Sequence, residues 1–162
     1  MNKKRLFLLM LAFAFLFVLI SNTSAQTLPA KVKTYLDKNY SGWKMTGFDK
    51  ACPSETKRYT VEGDFNGDKK RDYAVKFAKG RSGYIIAFIA EGTNYKALVL
   101  RSEDASVIRS TGLGVARKGE KYAPDVDSDN PRLVRLKNDA IYTNLCESEG
   151  VRYYIYQNGR FQ

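Results

Sequence analysis

The stretch "DYAVKFAKGRSGYIIAFIAEGTNYKALVLR" (residues 72–101) decides the fold class that we expect for this chain. In its first part, large apolar residues alternate with small or charged ones, which is the two-residue period of a half-buried strand. One face carries Tyr73, Val75 and Phe77, and the other carries Ala74 and Lys76. Residues 84–90 are aromatic or aliphatic throughout, as in a central strand that is covered on both faces.

Other short apolar runs, separated by turn residues, extend this sheet in both directions. We expect strands at residues 44–49, 57–63, 72–78, 83–91, 95–101, 132–137, 140–146 and 151–157. Between residues 102 and 130 the periodicity fades, and glycines indicate loops or weak strands. The stretch "TGLGVARKG" (residues 111–119) lacks the spacing of a phosphate-binding loop, so we interpret it as an ordinary glycine-rich connection.

One amphipathic helix is predicted before the first strand, over residues 27–40. Thr27 can cap this helix and Pro29 suits its first turn. Its apolar residues recur at helical spacing on one face, and they are Leu28, Val32, Tyr35, Leu36 and Tyr40. The expected fold class is therefore α+β, with an N-terminal helix packed on a mainly antiparallel β-sheet in a single domain.

Residues 1–25 have the layout of a secretory signal peptide. Lys3, Lys4 and Arg5 precede the apolar run 6–20, and small residues lead to Ala25, after which we expect cleavage. The apolar run is shorter than the roughly 20 residues of a membrane span, although an uncleaved anchor is the alternative. We therefore expect an exported protein, periplasmic or secreted, with one α+β domain over residues 26–162 and no membrane span in the mature chain.

The charge and the cysteines narrow the class of protein further. The formal net charge is +10, but the basic residues are scattered, and export argues against a nucleic acid partner. Cys52 and Cys146 are the only cysteines, and an oxidising compartment favours a disulfide between them over two buried thiols. Because the chain has no histidine, Ser–His and Cys–His pairs are excluded, and we expect a protein that is not an enzyme.

Acidic residues are concentrated in "GDFNGDKKRDYAV" (residues 63–75), directly before the opening stretch. At nearly regular spacing the loop offers the side chains of Asp64, Asn66, Asp68 and Asp72 and the backbone carbonyl of Lys70. Such hard oxygen ligands suit Ca²⁺, which takes roughly six to eight of them. The alternative is a hairpin turn in which the Asp and Asn side chains accept hydrogen bonds from their own backbone.

The pattern Asp-Phe-Asn-Gly-Asp-x-x-x-Asp-Tyr-Ala-Val (residues 64–75) resembles the calcium-binding loop of FG-GAP and VCBS-type repeats. Since the chain carries a single copy, the resemblance implies a calcium-stabilised domain and no particular activity. Lys69 stands where those families have glycine, and a left-handed backbone there would cost lysine roughly 1–2 kcal/mol. Lys69, Lys70 and Arg71 also add positive charge, so we expect either weak calcium binding, with a Kd of roughly 10⁻⁴–10⁻³ M, or none.

The function expected from these observations is a small exported, non-enzymatic binding or structural module, stabilised by one Ca²⁺ in the loop 64–72. Two other classes stay open: an extracytoplasmic enzyme or enzyme inhibitor that uses the acidic loop as its site, and an adhesion factor for anionic envelope polymers. The partner is expected to be a protein or a glycan. Residues 151–157 are rich in tyrosine and form either sheet core with its cover or an exposed Tyr/Arg binding surface.

Overall fold

The fold class is mainly antiparallel β. The computed structural model describes residues 28–124, 132–148 and 150–162, and within them strands take up 46% of the residues and helices 14%. The expected α+β class is therefore wrong. The physical reason for this difference is that a single ten-residue helix covers part of one sheet, whereas the central core lies between strands.

The first sheet has four antiparallel strands in the order β1-β2-β3-β4. They are β1 (Thr60–Gly63), β2 (Asp72–Lys79), β3 (Ser82–Glu91) and β4 (Asn94–Asp104). Strand β3 lies in the interior of this sheet and is buried along most of its length, which confirms the expectation of a central strand. The strand expected at residues 44–49 is wrong, because only Lys44 pairs there, in an isolated bridge to Ala78.

The helix α1 (Ala30–Asn39) covers one face of this sheet. Its fully buried residues Val32 and Leu36 pack against Val75, Phe77, Ile86 and Phe88. The apolar face read from the sequence is thus confirmed. The helix begins after Pro29, and the proposed cap, Thr27, lies outside the described residues.

The second sheet has three strands in the order β5-β8-β9. The remaining elements are a 3-10 helix (Ser54–Thr56), α2 (Ala105–Arg109), β5 (Thr111–Ala116), β6 (Lys121–Tyr122), β7 (Val134–Arg135), β8 (Ala140–Leu145), β9 (Val151–Tyr154), β10 (Tyr156–Gln157) and β11 (Arg160–Phe161). β6 pairs with β7, and β10 pairs with β11. The ordinary connection expected at residues 111–119 is wrong, since β5 occupies most of it. A side chain at Gly114 would overlap the ring of Tyr142, which lies across this strand on β8.

The central core lies between the two sheets. It joins Ala74, Ile85, Ala87 and Ile89 of the first sheet to Leu113 and Ile141 of the second. The disulfide Cys52–Cys146 ties the segment before β1 to the end of β8, which confirms the expected pairing. Lys76, which the sequence pattern places opposite the face of Tyr73, Val75 and Phe77, is fully buried in this interior.

Two expectations concern the membrane and export. Within the described ranges, none of the helices has the length and apolar character needed to cross a membrane. The signal peptide expected at residues 1–25 lies outside the described residues. The disulfide and the absence of a spanning helix among the described residues are compatible with export.

Candidate metal site

The acidic loop connects two paired strands. β1 ends at Gly63 and β2 begins at Asp72, and these two residues face each other in the register. Residues 64–71 thus form the connection of an antiparallel hairpin, and its last oxygen ligand stands on a strand. Gly67, in the middle of the loop, has a φ of 82°, which glycine adopts without strain.

The side chains of the loop accept hydrogen bonds from its own backbone. The two carboxylate oxygens of Asp64 accept from the N–H groups of Gly67 at 2.8 Å and Lys69 at 3.0 Å. Asn66 Oδ1 accepts from the N–H of Asp68 at 3.0 Å. Asp68 Oδ1 accepts from the N–H of Lys70 at 2.8 Å, and this bond is the main cause of a lowered pKa of Asp68. These contacts are the ones expected for a self-capped turn, that is, a hairpin turn whose side chains accept hydrogen bonds from its own backbone.

Asp72 differs from the other acidic residues because it is fully buried. Its two oxygens accept from the N–H groups of Phe65 and Ala90, each at 2.8 Å, so that it links the loop to the end of β3. Burial raises the pKa of Asp72, the N–H groups of Ala90, Phe65 and Asn66 oppose the rise, and the charge of Asp68 adds to it. Among the described residues no lysine or arginine forms an ion pair with Asp72.

Lys69 occupies the position where the resembling families have glycine, and its backbone is left-handed. Its φ is 64°, so the strain anticipated for a lysine at this position applies here. The three basic side chains of the loop are exposed. Lys70 Nζ lies 3.6 Å from Asp68 Oδ2, and Arg71 lies 3.5 Å from Glu62, and such exposed pairs contribute little to stability.

Two residues that the sequence did not single out, Asn138 and Asp139, contact the loop from the turn before β8. Asp139 Oδ2 accepts from the N–H of Asp64 at 3.2 Å and from Arg117 at 2.8 Å. Burial raises the pKa of Asp139, but the N–H groups of Lys118 and Asp64 and the Arg117 guanidinium together lower it. The Asn138 side chain lies so close to Gly67 that a Cβ there would come within 2.6 Å of Asn138 Oδ1.

The donors of the loop are chemically suited to Ca²⁺, because all of them are hard oxygens. Each carboxylate or amide oxygen that accepts one N–H retains a second lone pair, and the Lys70 carbonyl accepts no hydrogen bond from the described residues. In the part of the chain that the structure describes, however, no three His, Cys, Asp or Glu side chains are arranged to hold a metal. The site therefore has the ligands for a cation, with their oxygens turned towards backbone N–H groups.

Comparison of the chain with protein-family models, with curated proteins and with solved structures gave no match. The resemblance of residues 64–75 to the calcium loop of FG-GAP and VCBS-type repeats therefore stays a prediction. What is established is the class of protein: a mainly β fold, crosslinked by one disulfide, with an acidic hairpin loop beside the core.

Proposed function

We propose that this chain is a small exported, non-enzymatic binding or structural module whose loop 64–72 is stabilised by one Ca²⁺. The observation that carries the proposal is Asp72, a fully buried carboxylate next to Asp68 that has no basic partner among the described residues. The two N–H groups that donate to Asp72 provide hydrogen bonds but no net positive charge, so part of the cost of burying this charge stays uncompensated. A divalent cation held by the loop would supply the missing positive charge.

The ligands of this proposed site are the side chains of Asp64, Asn66, Asp68 and Asp72 and the carbonyl of Lys70. The backbone of the loop already bends at these residues, and the bound ion would supply positive charge there. Its role is structural, since it would fix the β1–β2 hairpin against β3 and the turn that carries Asp139. The exposed lysines and the arginine lower the affinity, which matches the weak binding typical of extracellular modules.

Export is supported by the disulfide between Cys52 and Cys146, because structural disulfides persist in oxidising compartments. The expected signal peptide, residues 1–25, is the sequence feature that would direct it. In this proposal the partner is a protein or a glycan outside the cytoplasm.

The test is thermal unfolding in 10 mM Ca²⁺ against chelator. With a Kd near 1 mM, the free energy of unfolding should rise by about 1.4 kcal/mol, which corresponds to roughly 5 °C in Tm for a domain of this size. An equal concentration of Mg²⁺ should give a smaller shift, because it demands a tighter octahedral geometry.

The informative variant is Asp68→Asn. It keeps an oxygen that can accept the N–H of Lys70 but removes one negative charge from the loop. We expect Tm in chelator to stay within about 1 °C of the parent and the calcium shift to fall below about 2 °C. Asp37→Asn, an exposed change on α1, is the matched control and should keep the full shift. If 10 mM Ca²⁺ leaves the Tm of the parent chain unchanged, the loop is a self-capped turn and the proposal fails.

A further inference from the structure

A concave cleft of about 310 Å³ opens beside the acidic loop. Residues from the β6–β7 pair, the β10–β11 hairpin and the turn before β8 line it, and buried Phe65 of the loop contributes to its wall. Small-molecule sites occupy roughly 300–1,000 Å³, so this cleft has room for a small ligand or for one end of a longer one.

Three amide side chains line this cleft: Asn138, Gln157 and Asn158. None of them forms a side-chain hydrogen bond with another described residue. Each amide offers two N–H donors and one carbonyl acceptor. The cleft therefore presents one half-buried and two exposed amides as donors and acceptors, which suits a ligand whose own groups both donate and accept.

Two of the three charged residues that line the cleft have hydrogen-bond partners within the protein. Arg135 donates to the carbonyl of Gly119 at 2.9 Å, and Asp139 accepts from Arg117 at 2.8 Å. Only Lys137 lines the cleft as a charged side chain without a partner in the described ranges. Arg135 keeps its positive charge, because a carbonyl acceptor does not neutralise it, so a ligand meets three neutral amides and two cationic side chains.

Two half-buried tyrosine rings, Tyr122 and Tyr156, also line the cleft. Tyr156 packs edge-on against Phe161 with ring centroids 5.1 Å apart, which holds its ring in place. A tyrosine combines an apolar ring with a polar hydroxyl. Such rings can contact the C–H face of a sugar while neighbouring amides bind its hydroxyl groups.

From this combination we infer that the cleft binds a neutral carbohydrate. Hydroxyl groups both donate and accept, as the amides require, and they also accept from cationic N–H groups such as those of Lys137 and Arg135. An extended peptide would instead pair with an open strand edge, whereas Gln157 and Asn158 lie at the tight turn of the β10–β11 hairpin. The inference rests on the proposed function only in that both take the chain to be a binding module.

The variant that tests it is Gln157→Ala combined with Asn158→Gly. Asn158 has a φ of 52°, so glycine keeps the turn while the amide is lost. Asn39→Ala is the matched control, because Asn39 is an exposed amide on α1 that bonds the carbonyl of Tyr35. Unchanged far-UV circular dichroism and Tm would show that both variants are folded.

The probes are maltose, cellobiose and N,N′-diacetylchitobiose, titrated into the purified chain and followed by NMR shifts and saturation transfer. We expect at least one of them to bind with a Kd near 1 mM, about a tenfold weaker Kd in the double variant, and a change below about twofold in the control. Binding of none of these sugars at about 10 mM, equal binding by the double variant, or binding only of a charged disaccharide such as digalacturonate would overturn the inference. The calcium proposal is measured separately by melting, so that either one can fail alone.

Discussion

Strand β2 carries two buried charges four residues apart, and the protein holds them in opposite ways. Asp72 begins the strand, and its two oxygens accept N–H groups from Phe65 and Ala90 at 2.8 Å. Lys76 is equally buried, but among the described residues its ammonium group donates to one acceptor, the carbonyl of Thr111 at 2.6 Å. The ring of Phe48 also lies against this group, with its centroid 4.1 Å from Nζ.

The comparison shows that burial alone does not decide what a charge does for stability. Fixed backbone N–H groups solvate the carboxylate of Asp72 and tie the loop, β2 and β3 together. The ammonium group of Lys76 has three donors, and within the described ranges it meets one acceptor and one cation–π partner. Burial accordingly lowers the pKa of Lys76 to about 8. Burial also raises the pKa of Asp72, so folding disfavours the charged form of both residues. Asp72 differs in its two N–H partners, and we expect removal of its side chain to destabilise the fold because both would be left unpaired.

The largest effect should come from Asp72→Ala. The change leaves the N–H groups of Phe65 and Ala90 without their acceptor and detaches the loop from β3, so we expect a loss of about 3–5 kcal/mol in the free energy of unfolding. Urea denaturation measures it. The exposed change Asp37→Ala serves as control and should cost below about 1 kcal/mol. Equal losses of stability in the two variants would contradict the stabilising role assigned to the hydrogen bonds of Asp72.

Lys76→Met should have the opposite sign. It replaces a buried ammonium group by an apolar side chain of similar length, so we expect about 1–3 kcal/mol of added stability at pH 7. Urea denaturation at pH 7 measures this as well. A destabilised variant would show that the bond to the Thr111 carbonyl outweighs the cost of burying the charge.

The pH dependence of stability tests the same comparison between Asp72 and Lys76. Because the pKa of Lys76 is lower in the folded chain than in the unfolded one, the unfolded chain binds more protons between about pH 8 and 10.5, and stability rises with pH there. From pH 7 to 9.5 the rise should amount to about 2 kcal/mol and should be absent in Lys76→Met. Taking the difference between the two chains cancels contributions from the tyrosines. Parallel pH curves would show that Lys76 titrates normally.

The smallest effect concerns the loop backbone beside Asp72. Lys69→Gly should stabilise the chain by about 1 kcal/mol, since glycine adopts the left-handed conformation of this position without strain. Lys70→Gly, one residue on, has no such strain to relieve and should be destabilising by roughly 0.5 kcal/mol. Chemical denaturation in chelator separates the two. If both changes have the same sign, the strain at Lys69 does not limit stability.

Much of the first sheet could be predicted, and the second sheet much less. β2 and β3 follow from alternation and from a continuous apolar run, which are local signals. β5 escaped prediction because its glycines look like a connection, and their role becomes visible only when Asn144 and Tyr142 lie against them. The hairpin β10–β11 turns at Asn158 and Gly159, both of which have positive φ. An Asn-Gly pair is a recognisable hairpin signal, but the prediction of one strand at residues 151–157 did not take it into account.

The candidate site shows the same division. Its loop residues follow from their spacing along the chain, whereas Asp139 and Asn138 reach the loop from 75 and 71 residues away. Sequence spacing carries no signal for such contacts. The cleft likewise combines residues of the loop, β6, β7 and the β10–β11 hairpin, which only folding brings together.

By itself, the sequence determined the amphipathic face of α1, the central strands, the oxygen-rich loop and the cysteine pair. These features depend on local periodicity and on the chemistry of single residues. Only the tertiary structure decided the mainly β class, the burial of Lys76 and the contact of the loop with Asp139. Each of these depends on which surfaces pack together, because burial and long-range hydrogen bonds are set by neighbours that are distant in the chain.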